Sequence, residues 1–107
     1  MTTFDSRKDG FEKKHAHDEE LQFKATARRN KLLGAWAAEK MGMTGDEAVQ
    51  YARDVVASDF EEAGDDDVFR KIRKDLDAAG VATTDQEIRT VMTELMGAAV
   101  QQIKAGQ

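Results

Sequence analysis

The stretch HDEELQFKATARRNKLLGAWAAEKMG, residues His17 to Gly42, decides the fold. It is rich in Ala, Leu, Glu, Lys and Arg, the strongest helix formers, and contains no proline. Leu21, Ala25, Leu32, Leu33, Trp36 and Met41 are its apolar positions, and Gly42 follows as a residue suited to left-handed termination. A first helix from about Asp18 to Met41 is therefore predicted, with Asp18 as its cap and Glu19 and Glu20 in the first turn. Leu32, Leu33 and Trp36 are expected at the centre of the core it joins.

Three more helical patterns follow. Thr44-Gly-Asp-Glu47 has the spacing of a capping box and opens a second helix with Ala48, Val49, Ala52, Val55, Val56 and Phe60 as its stripe, broken at Gly64. A third starts in Asp65-Asp66-Asp67, carries Val68, Phe69, Ile72 and Leu76, and stops at Gly80. The fourth opens on a second capping box, Thr84-Asp-Gln-Glu87. It runs through Ile88, Val91, Met92, Leu95, Met96, Ala99, Val100 and Ile103 before Gly106. No alternating apolar and polar run calls for a strand, and the links are short enough for neighbouring helices to pack. The expected fold is all-α: a four-helix bundle-like domain over residues 18–107 with a flexible N-terminal arm, residues 1–17.

The arm carries Phe4 and Phe11, seven apart, among Arg7, Lys8, Lys13 and Lys14. Seven residues return two rings to nearly one side of a helix. One such pair buries too little surface to hold a charged, Gly-containing segment folded alone, so the arm is expected to order against a partner.

Composition narrows the classes further. A chain of 107 residues supports one domain. The net charge of −5 divides into +2 over residues 1–31 (eight Lys/Arg, six Asp/Glu) and −7 over residues 32–107 (eight against fifteen). A mildly basic arm on an acidic body lacks the basic face that nucleic acid demands. With no cysteine there is neither a disulfide nor a thiolate metal site. No apolar run approaches the length of a membrane span and no secretory signal is visible, so a cytoplasmic protein without membrane insertion is expected.

Three clusters invite a chemical reading. His15 and His17 are two apart, which points them in different directions on a helix, and no third histidine completes a metal site. Glu61-Glu62 and Asp65-Asp66-Asp67 lack the ligand spacing of a calcium loop and read as a solvated helix start. Arg28, Arg29 and Lys31 form a basic knot, for which a solvated helical face is favoured over phosphate contact. The alternative is weak ATP or ADP binding, a purine nucleotide lodged between helices near Arg28, Arg29 or Trp36, or a small adaptor module. Met41, Met43, Met92 and Met96 are expected to fill core gaps. Nothing pairs a nucleophile with a base, so neither an enzyme nor a resident cofactor is expected.

His17–Gly42 closely resembles the zeta subunit family of alphaproteobacterial F-type ATP synthases. The resemblance continues through Tyr51-Ala-Arg-Asp-Val-Val56, Asp59-Phe-Glu-Glu62, Gly64-Asp-Asp-Asp-Val-Phe-Arg-Lys71 and Asp75-Leu-Asp-Ala-Ala-Gly80, and so spans essentially the whole chain. It implies a four-helix regulatory subunit, monomeric when free and peripheral to the inner membrane, whose N-terminal segment inhibits ATP hydrolysis. That segment enters a catalytic interface between the alpha and beta subunits near gamma, becomes helical there, and blocks rotation in the hydrolytic direction. On this resemblance Phe4 and Phe11 are apolar anchors, Asp5, Arg7, Lys8, Lys13, Lys14 and His15 flank them as contacts, and the body holds the arm and docks outside the catalytic head. The family tends to have Ala where this chain has Gly10 and an aromatic where it has His15. Those departures imply binding weaker by roughly tenfold to a hundredfold, from about 0.5–1 kcal/mol of helix propensity and about 1–2 kcal/mol of apolar burial. His15, titrating near pH 6.5 when unperturbed, would make the arm more positive on acidification.

Overall fold

The computed structural model describes residues 3–59 and 65–106, with the side chains of the first helix described from Glu19 onward. Four helices make up the described chain: α1 (Thr3–Lys40), α2 (Gly45–Ser58), α3 (Asp66–Ala78) and α4 (Asp85–Lys104). There is no strand among the described residues. α2 and α4 flank α1 without meeting each other, and α3 bridges them while also touching α1. The all-α, four-helix expectation holds. The start expected at Asp18 does not coincide with the end of a helix, because α1 runs through it to Thr3, so Asp18 has no helix terminus to cap. Phe60 to Gly64, which carry the expected end of α2 and the acidic pair Glu61-Glu62, lie outside the described residues.

The core forms where the stripes of all four helices meet. Leu33, Ala37 and Ala38 from α1 pack with Tyr51 and Val55, with Val68, Ile72 and Leu76, and with Ile88 and Met92. Of the three residues expected at the centre, only Leu33 is there; Leu32 and Trp36 are half-buried. They sit one residue before and three after Leu33, on the shoulders of the stripe, whose axis is Ala25, Arg29, Leu33 and Ala37 at intervals of four. On α2 the buried set is Tyr51, Ala52 and Val55 with Ala48 half-buried, an i, i+3, i+4, i+7 pattern that leaves Val49 outside, 52% exposed. Val49 was expected inside; it lies one residue, about 100° of rotation, off that stripe. Met92 is buried and Met41 and Met43 pack partly against the core, as expected of gap-fillers.

Helix ends follow the sequence at Gly42, Gly80 and Thr84 and depart from it at Thr44. After α1, Gly42 adopts φ +78°, its N–H donates to Glu39 O (3.1 Å), and the Met43 N–H donates to Ala38 O (2.9 Å). Two otherwise orphaned carbonyls are thereby satisfied in a paired, left-handed termination. α3 closes the same way, with the Val81 N–H on Leu76 O at 2.9 Å. Thr84 caps α4, its hydroxyl accepting from the Glu87 N–H at 3.1 Å. Thr44 differs: its backbone is extended as a cap's should be, but its side chain makes no capping bond. The chain enters α2 through Gly45 at φ +57°, and this turn carries the Thr44 hydroxyl away from the Glu47 N–H.

The α1–α2 crossing is unusually close. A Cβ built on Gly34 would lie 2.7 Å from the Cα of Ala52 and 3.2 Å from Val55 Cγ2. Only hydrogen fits between the two backbones there.

Candidate functional site

The residues assigned to the inhibitory arm (Phe4, Asp5, Arg7, Lys8, Phe11, Lys13, Lys14 and His15) have side chains outside the described set. What the structure does give is the base from which they project. α4 ends at Lys104, and Ile103 and Gly106 beside that end line one groove with Phe23 and Lys24. α2 ends at Ser58, with Asp59 beside Phe23 and Thr26. Both flanking helices therefore stop at the level of Phe23, and α1 continues N-terminally without either alongside. At 1.5 Å per residue the 38 residues of α1 span about 57 Å, against about 30 Å for the 20 of α4. Phe23 itself stands at this rim 65% exposed. It is off the stripe: two residues before Ala25 is 200° of helical rotation, which takes it out of the buried face to the outer edge of the grooves beside α2 and α4.

The basic knot separates into three environments. Arg29 is buried, only 2% exposed, and the solvated face expected for it is wrong. Its position four after Ala25 and four before Leu33 puts it on the core stripe, and the residue is accommodated because its donors are satisfied. Nε donates to Asn30 Oδ1 at 2.7 Å, and Nη2 donates to Asp65 Oδ1 at 2.8 Å, tying α1 to the start of α3. Asp65 keeps half its surface in water, so one end of this ion pair remains hydrated. Arg28, one residue before it, is half-buried and donates to Gln102 Oε1 of α4 at 2.9 Å. Lys31 is exposed. Trp36 lies two turns away, partly packed on the core, with Lys40 Nζ 5.7 Å from its ring centroid and 3.7 Å from Glu87 Oε1. Arg28, Arg29 and Trp36 therefore do not converge on one cavity.

The acidic start of α3 is also less solvated than expected. Asp67 is buried, bonded through Oδ1 to Arg70, with Oδ2 unpartnered. Asp66 is exposed and meets Arg89 at 3.3 Å, while the Arg89 guanidinium lies 3.9 Å from the Phe69 ring centroid. Between α2 and α3 the Tyr51 hydroxyl donates to Asp75 Oδ2 at 2.7 Å, and Lys71 Nζ donates to the same oxygen at 3.0 Å. Burial, first, and the adjacent Asp75 carboxylate push the Tyr51 phenol well above its ordinary value. Among the described residues no group of three or more His, Cys, Asp or Glu is placed to hold a metal ion, and no helix is long and apolar enough to cross a membrane.

Two grooves run along the α1–α2 side. One, of about 760 Å³, is floored by Leu32, Ala35, Ala48, Ala52 and Val56. The other, of about 580 Å³, lies between α1 and the end of α4 and includes Phe23, Ala27 and Ile103. Lys31 and Val56 belong to both, so they form a single strip. Sequence reasoning passed over this strip because part of its floor, Ala48 and Ala52, also belongs to the buried α2 stripe; Phe23 and Val49 were the visible signal, large apolar residues out of register with the core.

Comparison with known proteins adds the following. A family model described as ATPase inhibitor subunit zeta matches residues 1–102. A protein solved by solution NMR is 48% identical, with a TM-score of 0.72, and the match covers 81% of this chain and 99% of that one. A search of curated proteins gives no match.

Proposed function

Because the chain belongs to the ATPase inhibitor subunit zeta family, we propose that it restrains ATP hydrolysis by an F-type ATP synthase through its N-terminal segment. Residues 1–17 insert at an interface between alpha and beta subunits close to gamma, with Phe4 and Phe11 as anchors and Asp5, Arg7, Lys8, Lys13, Lys14 and His15 around them. The four-helix body keeps the segment at the enzyme, and the protein works where the synthase is, as a regulator and not a catalyst. The observation that supports this most directly is the level at which the bundle stops. α2 and α4 both end beside Phe23, while α1 continues, so the arm is offered outward on a helix whose lower half is clamped by the core. A helical arm rooted in a folded body has already lost part of its conformational freedom, which lowers the ordering cost at the interface. The family match begins at residue 1 and so includes this arm.

A purine nucleotide near Arg28, Arg29 and Trp36 is less well supported. Arg29 would have to leave Asp65 and the core to reach a phosphate.

The test is titration of the full chain into the cognate catalytic complex prepared without it. Hydrolysis should fall to a saturating limit, and Phe4→Ala with Phe11→Ala should shift the midpoint upward. Saturable binding with unaltered hydrolysis would refute the inhibitory reading and leave an adaptor.

A further inference from the structure

We infer that the strip between Phe23 and Val49 is a docking surface for an acidic amphipathic helix presented by the synthase, separate from the site that receives the arm. The inference rests on the proposed function for the identity of the partner and on the strip itself for the chemistry. Phe23 and Val49, 65% and 52% exposed, are the large apolar side chains left in water among the described residues. They sit at opposite ends of the joined grooves, whose floor is Leu32, Ala52 and Val56. Along α1 the strip runs from Phe23 to Glu39, about 24 Å or four to five helical turns. An apolar trough between two helices is the shape that accepts the i, i+3, i+4, i+7 face of a third.

Charge selects the occupant. The chain as a whole carries −5. Yet the strip is lined by Lys24, Arg28, Lys31 and Arg53 against a single acid, Glu39. Lys24 is engaged with Glu20 at 2.9 Å and Arg28 with Gln102, whereas Lys31 and Arg53 have no ion pair among the described residues. The chain's own arm is a poor match, since residues 1–17 hold Arg7, Lys8, Lys13 and Lys14 against Asp5, Asp9 and Glu12. A second copy fits no better, because a two-fold contact through this strip would set its cations against themselves. A helix with an apolar stripe bordered by Asp and Glu satisfies both the floor and the rim.

The experiment compares binding of full-length chains to the cognate catalytic complex at low and at physiological salt. Wild type is set beside the double variant Lys31→Glu/Arg53→Glu, Val49→Glu, and Lys74→Glu as a control on exposed α3 surface. All four positions are exposed, and circular dichroism melts confirm that each variant is folded. The double variant and Val49→Glu should each weaken binding about tenfold or more, and the double variant should have a shallower salt dependence than wild type or Val49→Glu, with Lys74→Glu unchanged within about twofold. Binding by wild type that the strip variants leave intact overturns the docking surface alone. No binding by wild type overturns the proposed function, and the surface with it. Two further results would overturn the assignment of the occupant. One is a dimer by sedimentation that Val49→Glu dissolves. The other is broadening of strip amide resonances by a spin label at Phe4→Cys in the free chain.

Discussion

Two alanine substitutions of the same kind should have opposite effects. Gly34 and Gly97 both lie inside helices, where replacing Gly by Ala ordinarily stabilises by about 0.5–1 kcal/mol through chain entropy. At Gly97 a new Cβ meets nothing within 4 Å, so Gly97→Ala should show this gain in full. At Gly34 the new methyl would stand 2.7 Å from Ala52 Cα, a backbone atom that cannot swing aside. Carbon atoms prefer about 3.5–4.0 Å, so α1 and α2 must separate by roughly 1 Å at the point where Leu33 and Val55 interlock. Overpacking of that kind costs about 1–3 kcal/mol, and subtracting the propensity gain leaves Gly34→Ala destabilised by up to about 2 kcal/mol. The propensity gain is common to both variants, so they should differ by the overpacking cost, about 1–3 kcal/mol. In urea unfolding followed by circular dichroism this corresponds to midpoints roughly 1 M or more apart at similar slope. Equal stabilisation by both substitutions would refute the close α1–α2 crossing.

Arg29→Ala should cost about 2–4 kcal/mol, since it leaves a cavity and strips Asn30 Oδ1 of its donor, while Arg29→Met should cost clearly less because the Met side chain refills the cavity, half-exposed Asp65 rehydrating in both; thermal melts give the order. Thr84→Ala should lose about 1 kcal/mol of stability and Thr44→Ala less than about 0.5, because only Thr84 makes a capping bond; urea midpoints separate them. The raised Tyr51 phenol gives a stability contribution that is complete below its unfolded value, about pH 10, and lost as pH rises above it. Tyr51→Phe should lower stability by about 0.5–1.5 kcal/mol at neutral pH and flatten the alkaline decline, as read from denaturation midpoints across that range.

Where local chemistry decides the outcome, the fold could be read from the text. Thr84 and Glu87 open α4, Gly42 and Gly80 close their helices, and the spacing of Val68, Ile72 and Leu76 fixes the face of α3. Rotational phase was harder to read. Arg29 and Val49 exchange the places that polarity alone assigns them, because the α1 stripe Ala25, Arg29, Leu33, Ala37 and the α2 stripe Ala48, Tyr51, Ala52, Val55 are set by geometry along the helix. The buried arginine also depends on Asp65, 36 residues away, a partner that only folding supplies. Thr44 shows the same limit at short range, since a capping-box spacing does not reveal that Gly45 turns left-handed. The strip from Phe23 to Val49 is visible only once the grooves on either side of Val56 are seen to join.

The central claim, that an arm carried on this bundle acts on the synthase, is tested most directly by removing the arm. ATP hydrolysis by the cognate enzyme should be measured with the full chain and with a chain lacking residues 1–17, each checked for helical content. The account predicts that the shortened chain remains helical, because every buried core residue among the described side chains lies at Ala25 or C-terminal to it, and that it no longer inhibits. Undiminished inhibition by a folded, shortened chain would contradict it.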